Sequence, residues 1–316
     1  MRGVPAVVHE AGSYPRHRVC GEFISGVEDS TLECLGISKM FTGATACSSV
    51  TWFREGRKIH EDTLPVPAMG ISRYRLDHVL RDHAASLGAE VIEHSRQTRE
   101  AREGFVWAAG KIPAPSKWIG LKIHYPDLPT SSDLEMHLGT NGYAGLASVE
   151  EGRVNVCGLF RVDRSRRGSG ASLLMSYLRA GGNEGLADRL ENSGPDQTSF
   201  CAVAGFSLGR QDFEADLCAV GDAESMIPPF TGNGMSMAFE AAEIALDPLD
   251  RWCSGRMAWD ACVAQIRVRL HRRFRKRLGA AQALHPILLN SGGRQLIESM
   301  GRARLLPFHP LLSLVR

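Results

Sequence analysis

The chain has 316 residues, 43% of them hydrophobic, with 37 Lys and Arg against 35 Asp and Glu for a formal net charge of +2. That length allows one large or two moderate domains with a sizeable core, and the balanced charge removes the long-range basic field that draws nucleic acid. No apolar run approaches a membrane span, and the stretch from Met1 to Glu10 does not read as a secretory leader, so a cytoplasmic location is expected.

In chain order, Val4 to His9 reads as a short apolar strand that ends on Glu10. The polar, turn-rich stretch from Ala11 to Phe23 follows and carries Arg16, His17, Arg18, Cys20 and Gly21. From Ile71 to Gly88, the stripe Leu76, Val79, Leu80 and Ala84 predicts a helix. Ser72 is placed to cap it, Gly88 to stop it, and Arg73 or Arg75 in its first turn can reach an anionic group. Strands are expected to begin at Ala89 and near Phe105, the second ending in a turn at Ala109-Gly110. Four alternating stretches between Trp118 and Phe160, broken by Pro and Gly, predict one antiparallel sheet. A polar loop, Asp163 to Gly170, leads to a helix near Ser172 to Arg179, and the chain from Arg256 onward is mostly helical. Eight cysteines stand singly without metal-ligand spacing; most read as small buried hydrophobes, and no metal site is expected.

Seven of the eleven residues from Arg267 to Arg277 are Lys or Arg. A solvated helix face is the favoured reading of such a run, with contact to a membrane surface as the other.

The most informative stretch runs from Leu217 to Ala245. An apolar strand ends at Gly221-Asp222, which puts a carboxylate at a carboxyl-terminal strand edge, where open α/β sheets bind ligands and where it can grip a polyol hydroxyl. Pro228-Pro229 fixes the approach, and Gly232 and Gly234, flanking Asn233, let the backbone come close to a flat ligand. A helix from Met235 then aims its positive end inward, which suits the electron-rich edge of a reduced flavin.

These residues resemble the second flavin-contacting motif of FAD-dependent oxidoreductases of the geranylgeranyl reductase and aromatic hydroxylase superfamily. The resemblance implies an α/β protein with a Rossmann-like FAD-binding domain built from residues 1–110 and 200–250. An inserted antiparallel substrate sheet would span 111–199 and a helical segment 251–316. It further implies that Asp222, Pro228, Gly232, Asn233, Gly234 and Met235 hold the flavin and its ribityl chain. Glu10 would bind the adenosine ribose, Arg16 and Arg18 would lie near the phosphates or ring, and Arg73 would stand on the helix that runs alongside FAD. Cys20 and Gly21 would border the isoalloxazine.

The implied cofactor is FAD, with NAD(P)H as a possible electron donor and a hydrophobic small molecule as substrate. Ala109-Gly110 stands where hydroxylases of the superfamily carry Asp-Gly, which turns the expectation toward reduction of a carbon-carbon double bond in an isoprenoid-like compound. A monooxygenase acting on an aromatic or polyketide is the alternative, and a remnant that does not bind FAD a second. Cys20, His17 and Tyr143 are candidate proton donors, none of them preferred. The chain contains no Gly-x-Gly-x-x-Gly turn. Relative to the family, one βα unit of roughly 25 to 30 residues ahead of the first strand is therefore expected to be absent, and FAD binding to be weak.

Overall fold

One eight-stranded sheet organises most of the chain. In the computed structural model, which describes residues 3–316, the first third forms β1 (Val7–His9), β2 (Phe23–Ile24), α1 (Asp29–Cys34), β3 (Thr45–Arg54), β4 (Arg57–Gly70), α2 (Arg73–Ser86), β5 (Glu90–Ile92) and β6 (Val106–Trp107). Next come β7 (Trp118–Tyr125), β8 (Leu134–Leu138), β9 (Gly142–Ser148), β10 (Val154–Arg161), α3 (Gly170–Ala180), α4 (Glu184–Glu191) and β11 (Asp196–Ala204). Short strands β12 (Gly209–Arg210), β13 (Cys218–Ala219) and β14 (Ser225–Met226) lead into α5 (Gly234–Cys253), α6 (Trp259–Leu289), α7 (Ser291–Arg302) and α8 (Phe308–Leu314).

The sheet runs β11-β7-β10-β9-β8-β3-β4-β2, antiparallel throughout except for the parallel pair β3 and β8. Both of its faces are covered. Leu121, Ile123 and Tyr125 of β7 pack with Leu146, Val156 and the α3 residues Leu174 and Leu178. Met136, Leu138, Tyr143 and Leu159 pack on the other side with Leu288 of α6 and Ile297 of α7. Each such side chain taken fully out of water contributes roughly 1.5–3 kcal/mol before chain entropy is counted. The sheet is wider than the stretch from Trp118 to Phe160 predicts, because the β3–β4 hairpin and β11 join it. The hairpin closes on Glu55 and Gly56, both with positive φ (50° and 75°), the two-residue turn that matches strand twist.

The parallel part is slight. β1 pairs with β5, and β6 with β13, as two separate two-stranded ladders. Val7 and Val8 of β1 are exposed. The predicted helix after Ile71 is present as α2, with the Ser72 hydroxyl accepting from Arg75 N–H as the sequence suggests. Of the eight cysteines only Cys47, Cys218 and Cys262 are buried, fewer than the sequence reading expects.

The basic run on α6 lies mostly on a solvated face, with four of its seven cations paired within the chain. Arg267 donates to the carbonyls of Ala215 and Glu214, Arg269 pairs with Asp247, and Arg273 and Arg277 both reach Glu240 of α5. This leaves Arg272, Arg275 and Lys276 on the outer face. Among the described residues no helix is long and apolar enough to cross a membrane. Glu240 and Arg277 are 4% exposed each and lie 2.7 Å apart. Removing one partner of such a pair strands the other charge, so Glu240→Ala is expected to lower unfolding free energy by about 3–5 kcal/mol in urea titrations, with Arg272→Ala near neutral.

Candidate functional site

A cavity of about 420 Å³ lies between the sheet and the C-terminal helices. Val50 and Trp52 of β3, Met136 of β8 and Tyr143 of β9 form one wall; Leu288 of α6, Ile297 and Met300 of α7 and Leu312 of α8 form the opposite one. Gly120, Gly145 and Gly158 bring the sheet backbone itself to the cavity surface. At one end the lining turns polar, with Cys20, Gly21, Ser25, Asp222 and the loop from Pro229 to Met235.

That end is shaped by local sequence. β13 runs into a tight turn, Gly221–Ala223, with Gly221 at φ 63°, and the turn sets Asp222 in the cavity wall. After Pro228 a second turn, Pro229–Thr231, ends on Gly232 at φ 66°. A Cβ at Gly232 would come within 2.8 Å of the Phe23 ring, so both conformation and packing require glycine here. Gly234 opens α5, and a Cβ there would meet nothing within 4 Å. Asn233 is fully buried but does not cap α5: its Nδ2 donates to the Thr231 carbonyl, and its Oδ1 has no partner among the described residues. The first N–H groups of this twenty-residue helix thus receive no side chain, while Gly234 and Met235 line the cavity.

Asp222 makes no hydrogen bond or ion pair with the described residues, and burial pushes its carboxyl up to about 6 against the pull of Arg73. Beyond it lies a string of charges. Arg73 gives Nε and Nη2 to Asp77 at 2.6 and 2.8 Å, Arg18 bridges Asp77 and Glu10 at 3.0 and 2.9 Å, and Arg16 reaches Glu10 at 2.7 Å. Glu10 also accepts from Gly12 N–H and the Tyr14 hydroxyl, and this company holds its carboxyl below the usual range although burial works the other way.

A second buried cluster backs the site. Glu22 accepts from Arg73 N–H at 2.9 Å and sits 3.2 Å from Lys122 and 2.5 Å from His124. Burial alone would raise its carboxyl, but these partners hold it low.

Of the residues singled out by sequence, Cys20, Gly21, Asp222, Gly232, Gly234 and Met235 meet in the cavity. Pro228 and Asn233 support the loop from behind, Arg73 lies within the field of Cys20 and Asp222, and Glu10 and Arg16 stand at the far end of the charge string. The candidate proton donors separate as well. Tyr143 and Cys20 line the cavity, whereas His17 does not; it stacks on Tyr74 and is driven down to about 4 by burial and by Lys122. The Tyr143 hydroxyl, kept protonated by burial, accepts from Phe230 N–H at 3.3 Å and meets His285 Nε2 at 3.4 Å. The walls from β3, β4 and α6 to α8 were not anticipated; the Glu55-Gly56 turn was the available signal for the hairpin. Gly205-Phe206-Ser207-Leu208-Gly209 also has the spacing of a serine-hydrolase elbow. It leads to β12 rather than a helix, and Ser207 donates to Gln211 Oε1, so the context of an elbow is lacking.

The flavin end therefore fits its implied ligand: a free carboxylate for ribityl hydroxyls, a close-approach glycine loop and an uncapped helix start. The adenosine diphosphate end does not, since its cations and its ribose acid are already paired with one another.

No known family profile matches the chain, and no curated protein matches it by sequence. Solved structures do. PqsL of Pseudomonas aeruginosa, described as a probable FAD-dependent monooxygenase, aligns with a TM-score of 0.69 at 15% identity over 93% of this chain and 92% of its own. The flavin-dependent brominase Bmp2 aligns at 0.71 and 16%, over 99% and 88%. Klebsiella pneumoniae HpxO, solved with FAD and uric acid, aligns at 0.70 and 13%, over 99% and 98%. The chain thus shares its fold with PqsL, Bmp2 and HpxO. This corrects the expectation of double-bond reduction: the shared architecture is that of a monooxygenase and a brominase, and the Ala109-Gly110 departure does not outweigh it.

The state of Asp222 has a measurable consequence. Between the unfolded value of 3.8 and about 6 the folded protein holds a proton that the unfolded chain has lost. The contribution of Asp222 to stability is therefore expected to fall as pH rises through that window, by on the order of 2–3 kcal/mol, and Asp222→Asn to remove that contribution. Urea unfolding at about pH 4 and about pH 7.5 checks it; parallel pH profiles for the two proteins would sink the assignment.

Proposed function

We propose that this chain is a flavin-dependent monooxygenase acting on a small aromatic or polyketide-like substrate, with NAD(P)H as electron donor. The observation that carries this reading is the meeting of an apolar cavity with the unpartnered Asp222 and the uncapped start of α5. Asp222 would hold the ribityl hydroxyls, and the N–H groups of α5 would stabilise negative charge at the ring edge. Once bound and reduced, the flavin supplies the activation of dioxygen.

The chain's own contribution is placement and dryness. Trp52, Met136, Tyr143, Phe206 and Phe230 surround the space next to the ring position and exclude water from it. Tyr143 is the protonated hydroxyl of that wall and can hydrogen-bond a polar substituent of the substrate. The fold shared with PqsL and HpxO supports the reading without identifying the substrate.

The test supplies FAD and NAD(P)H and follows oxygen uptake as candidate aromatic compounds are added. Substrate-stimulated uptake is expected, whereas substrate turnover confined to anaerobic conditions would contradict the proposal. Asp222→Ala is expected to weaken flavin binding by about ten- to a hundredfold in fluorescence titrations, the scale of one lost hydrogen bond to a charged group.

A further inference from the structure

We infer that this chain recognises a flavin through its ring and ribityl chain alone, so that the adenosine diphosphate half of FAD adds no affinity and FMN or riboflavin binds as well. The inference rests on the flavin reading of the cavity and narrows it.

A dinucleotide's diphosphate carries negative charge, which proteins meet with a glycine-rich turn, a helix start or unengaged cations. Among the described residues none of the three is offered near the charge string. The sequence has no Gly-x-Gly-x-x-Gly turn. The start of α2, the helix beside the string, is filled by the protein's own carboxylates. Glu22 accepts from Arg73 N–H, and Glu150 takes the Ser72 N–H at 2.8 Å and the Ser72 hydroxyl. The guanidiniums of Arg16, Arg18 and Arg73 are held by Glu10 and Asp77, with Asp222 in the field of Arg73.

The ribose end is closed in the same way. Glu10 accepts four hydrogen bonds, two of them from arginines, and a ribose diol would have to displace these charge-assisted bonds with neutral ones. The ladders β1·β5 and β6·β13 are separate, so no continuous parallel sheet spans this region to present a strand end to the diphosphate. The flavin end shows the opposite pattern, with Asp222 unpartnered and the α5 start uncapped.

Fluorescence titration of the full chain with riboflavin, FMN and FAD tests this directly. The three dissociation constants are expected to agree within about threefold, with millimolar ADP unable to displace FAD. FAD binding more than about thirtyfold tighter than riboflavin, with ADP competing, overturns the inference and leaves the flavin reading standing. Failure of all three to bind overturns both. Two variants separate the charge string from general damage. Glu10→Gln, which frees Arg16 and leaves Arg18 to Asp77 alone, is expected to raise the preference for FMN and FAD over riboflavin. Asp77→Asn, which releases Arg73 and leaves Arg18 to Glu10 alone, is expected to raise the preference for FMN and FAD over riboflavin by about tenfold. A ratio that falls in Glu10→Gln, or that stays flat in both variants, contradicts the proposal.

Discussion

The carboxylate of Glu22 ties together the pieces on which the site is built. It is fully buried, on a residue held at φ 53°, and joins the start of α2 to Lys122 and His124 of β7. That knot fixes the chain on both sides. Cys20 and Gly21 precede it at the cavity, and Phe23 follows as the ring against which Gly232 closes. Asn155 of β10 adds a hydrogen bond to the Cys20 carbonyl at 2.9 Å. A buried charge left unpaired is far costlier than a surface one, so the three elements have little freedom to drift apart. The glycine loop can be strained and thin because its backing is rigid.

The cavity is a product of distant segments. Its walls come from β3 and β4 near the start of the chain, β7 to β10 in the middle and α6 to α8 at the end. Its polar end joins two stretches, Cys20 to Ser25 and Asp222 to Met235. Recognition of a flat polar ring thus falls on two short stretches, while the apolar walls are shared by elements that also form the core around Met136, Leu159 and Leu288. Substrate contacts and stability therefore draw on the same side chains, as expected where a pocket is cut into a close-packed interior.

The sequence made local features legible and hid the non-local ones. Ser72, Gly88 and the Leu76 stripe place α2 because capping and periodicity are properties of neighbouring residues. Gly221-Asp222 and the Pro-Gly loop declare a ligand turn for the same reason, and the four strands from Trp118 to Phe160 alternate visibly. The β3–β4 hairpin was passed over although Glu55-Gly56 marks its turn. The role of α6 to α8 was invisible, because an amphipathic helix does not state which surface it covers. Arg267 to Arg277 looks like a free basic face only until Asp247 and Glu240 are found opposite it. The ion pairs of Glu10 and Asp77 could not be read at all; a carboxylate able to grip a ribose and one gripped by arginines are the same letter.

Part of the cavity surface is bare backbone, at Gly120, Gly145 and Gly158, and part is thioether, at Met226, Met235 and Met300. Backbone has no rotamers, so the glycine stretch presents a fixed contour that a guest must match. Methionine is the most pliable of apolar side chains and can refill space as a guest's outline changes. A rigid template on one flank and a yielding cushion on the other make a chamber strict about thickness and lenient about length.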